Sequence, residues 1–246
     1  MTIKEGDFIR ISFTGKYDDE VFDTTDAELA KEEGIFDAQK NYAPLTIRVG
    51  AGHVLEGLDE ALPGMEVGED SEVEIPPEKG YGLRDESLVR STSIKNFTEK
   101  PQVGTRIQIE GREGIVTNIV GNRVVLDFNH PLAGKTLHYT FRIEDTVEDA
   151  AEQAKALIQL FSGREMDVEI DDGTLTINLP PGVSYDRRWQ MGRGMAVHQI
   201  FEFLDDVETV IQKEVFRRQK KREAEAEEEP EPVIEAESEP EEASEE

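Results

Sequence analysis

Apolar and polar positions alternate along this chain with two periods, and the switches between them mark its elements. Gly50 to Glu69 reads GAGHVLEGLDEALPGMEVGE; Val54, Leu55, Leu58, Leu62 and Met65 recur there at helical spacing, with glycines on both sides and Pro63-Gly64 as a stop signal. One short helix with an apolar face follows from this. The flanking stretches Leu45 to Val49 and Ser71 to Ile75 alternate as strands of a half-buried antiparallel sheet. A helix laid across such a sheet encloses a small apolar pocket.

Asp7 to Tyr17 sets Ile9, Ile11 and Phe13 against Arg10 and Ser12, which predicts a strand with one buried face. Val21-Phe22-Asp23 returns as a short strand, and Thr24 to Pro44 is a polar, partly helical excursion. Read alone, Phe22 is core and Asp23 a turn residue. Pro76-Pro77 ends the strand after the central helix, and EKGYG (78–82) is a glycine-flanked loop carrying Tyr81. The segment from Asp85 to Pro101 is polar with scattered apolar residues. Thr105 to Ile109, Gly114 to Val120 and Arg123 to Phe128 read as three strands, the last two joined by a Gly121-Asn122 turn. After the NHPLAG turn (129–134), Lys135 to Ile143 alternates again, long enough to rejoin the first sheet. Residues 85–128 are then an insertion, leaving beside Tyr81, in a domain of residues 1–84 plus 129–146.

From Val147 the period is helical, with Ala150, Ala154, Leu157, Ile158 and Phe161 on one face. Met166 to Ile170 and Thr174 to Leu179 form a hairpin over Asp171-Asp172-Gly173, Tyr185 to Leu204 is helical, and Val207 to Phe216 reads as a strand, with a helix as the alternative. Residues 147–216 are thus an α-β-β-α-β unit. A basic run follows, and the chain beyond Arg222 is Glu, Ala, Pro and Ser, too polar to offset its ordering entropy. The reading for residues 217–246 is a basic turn and a disordered acidic tail.

Charge and composition narrow the chemistry. The formal charge is −28, and even without the 13 glutamates of residues 223–246 the remainder carries −15, a field that repels phosphate backbones. Nucleic acid is not an expected partner. The absence of cysteine removes disulfides and thiol catalysis and fits a reducing, cytoplasmic setting. The stretch MTIKEGDFIRISF has no charged region followed by an apolar run, and no segment approaches the roughly 18 apolar residues of a membrane span, so no membrane partner is expected either. His53, His130, His138 and His198 are scattered, so neither a metal site nor any cofactor is expected. No G-x-S-x-G, S-x-x-K or Walker pattern occurs. What remains is catalysis without a nucleophile. Prolyl isomerisation is such a reaction: its barrier of about 20 kcal/mol is amide resonance, and a twisted amide with less charge separation is favoured in a dry apolar pocket.

FTGKYDDEVFDTT, GAGHVLEGLDEALPGMEVGE, PPEKGYG and NHPLAGKTLHYTF, in that order, resemble the FKBP-type peptidyl-prolyl cis-trans isomerases; the insertion before NHPLAG is similar to that of the SlyD-like branch, which implies a chaperone module there, and with the added C-terminal unit the chain is similar to the long archaeal members. The resemblance implies an α+β fold: an antiparallel sheet wrapped on a short helix, with a small β domain inserted in the flap and a C-terminal α/β domain. It implies pocket walls of Phe13, Phe22, Val54, Leu55, Leu58, Tyr81 and Tyr139, with Asp23 over the proline ring. Tyr81 and the Leu55 N–H would each donate to a substrate carbonyl. Leu58 stands where the family usually has a Trp floor, Phe13 in place of a wall Tyr, and Tyr139 in place of an inner Phe. The metal-binding histidine tail of some SlyD proteins is replaced by glutamate.

The resemblance further implies unfolded or nascent proline-containing polypeptides as partners and a C-terminal domain that can serve dimerisation. Val89, Ile94 and Phe97 precede the predicted strands of the insertion, where little is left to bury them. They read either as a client-binding surface or as residues that seal the small domain. The rival functional reading is a holdase or assembly factor with a vestigial pocket; retention of Asp23 and Tyr81 favours the enzyme.

Overall fold

The computed structural model describes residues 1–109 and 111–217, so the reading of the acidic tail lies outside the described residues. The first sheet has five strands, all paired antiparallel. Its spine is β1 (Phe8–Tyr17), whose first half pairs with β3 (Leu45–Arg48) and second half with β2 (Glu20–Thr24). On its other edge lies β9 (Leu137–Thr146), which also pairs with β4 (Asp70–Ile75). Between β2 and β3, Asp26 caps α1 (Ala27–Glu32) by accepting from the N–H groups of Glu28 and Leu29.

The central helix is shorter than its apolar period. Only α2 (Glu56–Asp59) is α-helical; Ala61 N–H turns back to Leu58 O and Leu62 N–H to Asp59 O, three-residue bonds that tighten the chain before Pro63 and a left-handed Gly64. Leu58 and Leu62 are nonetheless fully buried, with Ile9, Ile11, Ile47, Ile75 and Leu137. A Cβ on Gly57 would lie 2.6 Å from Ile75 Cγ2, so glycine is what lets α2 rest on β4.

Residues 89–127 form a four-stranded antiparallel sheet in the order β5 (Val89–Ser93), β8 (Arg123–Asp127), β7 (Arg112–Val120), β6 (Arg106–Ile109), around a small core of Val116, Val124 and Leu126. Here the sequence reading needs correction. Val89 does not precede the strands but opens one, β5, which alternates serine, threonine and arginine and so lacks the apolar period of a strand while pairing in register with β8. Ile94 and Phe97 are half-buried against the small core.

The C-terminal unit contains α3 (Ala150–Ser162), β10 (Asp167–Asp171), β11 (Thr174–Leu179), α4 (Arg187–Phe203) and β12 (Thr209–Glu214). β10 and β11 are a hairpin whose turn residues Asp172 and Gly173 both have positive φ, while β12 joins β11 in parallel after the α4 crossover. The segment 209–214 is therefore a strand and not a helix. On α3, Ala154, Leu157 and Ile158 are buried as their spacing predicts, but Ala150 is exposed in the first turn. Phe8, the first residue of β1, belongs to this unit's core with Leu157, Trp189 and Ile200, so the first sheet and the C-terminal unit share apolar contacts. No helix among the described residues is long and apolar enough to cross a membrane.

Candidate active site

Strand register places the aromatic residues. Gly15 on β1 stands opposite Asp23 of β2 on one side and Tyr139 of β9 on the other. A Cβ there would lie 2.8 Å from the Cζ atoms of both Phe22 and Tyr139, so glycine at this position lets the two rings close over the strand. Phe22 and Tyr139 meet edge to face at 5.8 Å, Phe13 lies 5.7 Å from Tyr139, and Tyr81 lies 6.2 Å from Phe22, again edge to face. Such pairs contribute about 0.5–1.5 kcal/mol each beyond burial, enough to fix ring planes.

Tyr81 comes from the loop that follows the 3₁₀ turn Pro77–Lys79, closed by the Gly82 N–H donating to Pro77 O (2.8 Å). The Gly134 N–H donates to Gly82 O, tying this loop to the NHPLAG turn, and the His130 ring stacks on Tyr81 with centroids 4.1 Å and planes 9° apart. Burial, and then the charge of Asp23, push the Tyr81 phenol above its ordinary value; Tyr139 is raised further, by burial first and then by Tyr81 and Asp23. Both stay protonated at neutral pH. Among the described residues neither hydroxyl has a hydrogen-bond partner, so both remain donors for a ligand.

Val54 and Leu55 lie ahead of α2, on a turn held by Asp59. One carboxylate oxygen accepts from the Gly50 N–H (2.8 Å) and the other from the Gly52 N–H (2.9 Å). Leu55 is the N-cap of α2 in an extended conformation, its carbonyl accepting from Leu58 and Asp59. Its own N–H donates to no protein group among the described residues. Leu58 is 1% exposed, so it backs the pocket from below and presents almost no surface to a ligand.

Asp23 sits at the rim and forms an ion pair with Lys40, whose ammonium also donates to Thr24 O (3.1 Å). Lys40 belongs to the excursion between α1 and β3, which is stiffened by a stack of Phe36 on Tyr42 at 5.1 Å. Sequence reading overlooked Lys40, Gly15 and the turn-holding role of Asp59, and weighed His130 only as a metal ligand. Thus Phe13, Phe22, Val54, Leu55, Leu58, Tyr81 and Tyr139 share one apolar cluster with Asp23 at its edge, whereas Val89, Ile94 and Phe97 lie in the inserted sheet. A cleft of about 860 Å³ beside Arg10, Pro44 and Lys155 and one of about 720 Å³ beside Glu5, Val54 and Pro63 have no aromatic residue in their lining.

The family model for FKBP-type peptidyl-prolyl cis-trans isomerases matches residues 1–98, one for the FKBP26 IF domain matches 88–132, and one for the FKBP26 C-terminal region matches 150–217. The chain is 42% identical over 146 residues to the short-type peptidyl-prolyl cis-trans isomerase of Methanocaldococcus jannaschii, covering 58% of this chain and 93% of that protein. It is 36% identical over 118 residues to the FKBP-type isomerase SlyD of Haemophilus influenzae (44% and 62% covered), and 28% identical over 149 residues to the FKBP-type 16 kDa isomerase of Escherichia coli (58% and 92%). The chain belongs to the FKBP-type peptidyl-prolyl cis-trans isomerases. It is an enzyme that interconverts the cis and trans forms of prolyl bonds, and its substrates are proline-containing polypeptides.

Proposed function

We propose that the isomerase reaction takes place in the cluster of Phe13, Phe22, Val54, Leu55, Tyr81 and Tyr139, and that the inserted sheet supplies it with unfolded client chains. The observation that carries the first part is one apolar, ring-walled site beside the Asp23 carboxylate, where the Tyr81 hydroxyl and the Leu55 N–H are both donors without a partner among the described residues. A prolyl ring fits against the aromatic edges. The two donors hold carbonyls on either side while the bond between them turns, and the twisted amide, having lost its resonance, is less penalised than the planar one by an environment without water. No covalent step is required.

Support for the second part is the exit of the insertion directly beside Tyr81 and its small core, which leaves Val103 and Val120 exposed and Val89, Ile94 and Phe97 half-buried. A chain held there raises the local concentration of prolyl bonds at the pocket, so binding and catalysis couple by tethering. The same reading includes nascent or unfolded chains as clients, a cytoplasmic setting, and dimerisation through the C-terminal unit. Replacing residues 85–128 by a short glycine-containing turn tests the division of labour. Turnover of a small proline peptide is expected to persist, while proline-limited refolding of a protein slows and suppression of aggregation disappears. Equal loss of peptide and protein activity in a folded variant, or retention of both, would overturn it.

A further inference from the structure

The turn that presents Leu55 is gripped from two sides. Asp59 holds its Gly50 and Gly52 N–H groups, as described above. On the other side, His53 reaches the C-terminal unit: its Nδ1 accepts from the Arg48 N–H (3.1 Å), which leaves the proton of the neutral ring on Nε2, and Nε2 is 2.9 Å from Oε1 of Gln199 on α4. Phe203, one helical turn further on, meets the His53 ring edge to face at 6.3 Å, carries the Arg48 guanidinium 4.1 Å over its own face, and lies 6.4 Å from Phe8. Arg48, His53, Gln199 and Phe203 are thus one interlocked contact, which joins the edge of the first sheet, the Leu55 turn and α4. Burial drives the imidazole toward its neutral form, the only form that can accept from Arg48 and donate to Gln199 together.

We propose that Gln199 and Phe203 are positioning residues of the isomerase site: by fixing the His53 ring they fix the Leu55 N–H, and so tie substrate affinity to the docking of the C-terminal unit on the first sheet. The inference rests on the reading of that N–H as a substrate donor. Because the Leu55 turn ends two residues beyond His53, a freed imidazole leaves the turn held by Asp59 and by the Ala51 N–H donating to Arg48 O (3.3 Å). By linkage the effect is reciprocal, and a bound peptide tightens the α4 contact by the same factor by which the contact tightens the peptide.

The test uses the full chain and a short proline peptide. Gln199→Leu removes the acceptor, and Gln199→Glu keeps one. The Leu variant is expected to raise KM about fivefold or more, with kcat held within about twofold, and to shift the backbone amide resonances of residues 50–55. The Glu variant should return KM toward that of the unaltered protein. A residue that only packed the unit in place would instead lower the active fraction, and hence apparent kcat, with KM unchanged. Unchanged KM with unmoved amide resonances would overturn the coupling itself. Moved resonances with unchanged KM would overturn it at the other end, because the Leu55 N–H would then not be the donor. Measured at a pH high enough to keep the imidazole neutral beside the new carboxylate, a Glu variant as impaired as the Leu variant also contradicts the proposal. If the Leu variant does not fold, Gln199→Met, of similar length and without an acceptor, takes its place with the same outcomes.

Discussion

The imidazole of His130 lies flat against the phenol ring of Tyr81, centroids 4.1 Å and planes 9° apart. One residue belongs to the loop that enters the inserted segment and the other to the turn that leaves it, so the stack clasps the two chain crossings at the pocket rim. Arg84 with Asp127 (2.7 Å) and the reciprocal bonds of Asp85 and Asn129 (2.9 Å each) continue the clasp outward. His130 is exposed, so His130→Ala is expected to leave the fold intact. Loss of a stack of about 0.5–1.5 kcal/mol should lower peptide kcat/KM about two- to tenfold, and His130→Phe should recover most of it. Stopped-flow peptide kinetics decide this, and an unchanged Ala variant would show that Tyr81 is held without the stack.

Lys40 sets the orientation of Asp23. The ion pair is partly exposed and adds at most about 1 kcal/mol to stability, so its importance is geometric. Lys40→Met should leave the thermal midpoint within a degree or two and reduce kcat/KM about two- to tenfold, less than any change of Asp23 itself. Equal losses in Lys40→Met and Asp23→Leu would mean that the pair, and not the carboxylate, is the functional unit.

Most of the first sheet was legible because its strands are half-buried and alternate cleanly, as Ile9, Ile11 and Phe13 do. The resemblance to the FKBP-type family, and not the alternation, named Phe13, Phe22, Tyr81 and Tyr139. The rest had no signal of that kind. β5 pairs through its backbone while Arg90, Ser91 and Ser93 are exposed, so no apolar period announces it. Lys40 is 17 residues from Asp23 in a polar excursion, and nothing in its neighbourhood distinguishes it from any other surface lysine. Gly15 carries its meaning through the two rings that close over it, a fact of tertiary register. The period of Val54, Leu55, Leu58, Leu62 and Met65 overstated the helix, because burial constrains which residues are apolar more tightly than it constrains the hydrogen-bond ladder that connects them.

The half-buried His53 gives the protein an acid-sensitive contact. Burial, and to a lesser extent Arg48, lower its pKa below the ordinary 6.5, against opposing contributions from the Gln199 hydrogen bond and from Asp59. Between that lowered value and 6.5 the unfolded chain binds more protons than the folded one, so stability rises with pH across this window and is lost as pH falls through it. The difference in thermal midpoint between the unaltered protein and His53→Gln should therefore narrow as pH drops below 6.5. A difference independent of pH would place His53 in a site that tolerates its charge.

Whether the aromatic cluster is where prolyl bonds turn is tested most directly by proline-limited refolding of a client protein with Asp23→Leu and Tyr81→Ala, measured beside the circular dichroism spectrum of each variant. Both positions are at the rim, so both variants should fold. If Tyr81 donates to a substrate carbonyl and Asp23 faces the proline ring as proposed, Tyr81→Ala and Asp23→Leu should each slow catalysis by about tenfold or more, equivalent to about 1.4 kcal/mol of lost transition-state stabilisation. Catalysis at the unaltered rate in both folded variants would contradict the assignment of the reaction to this site.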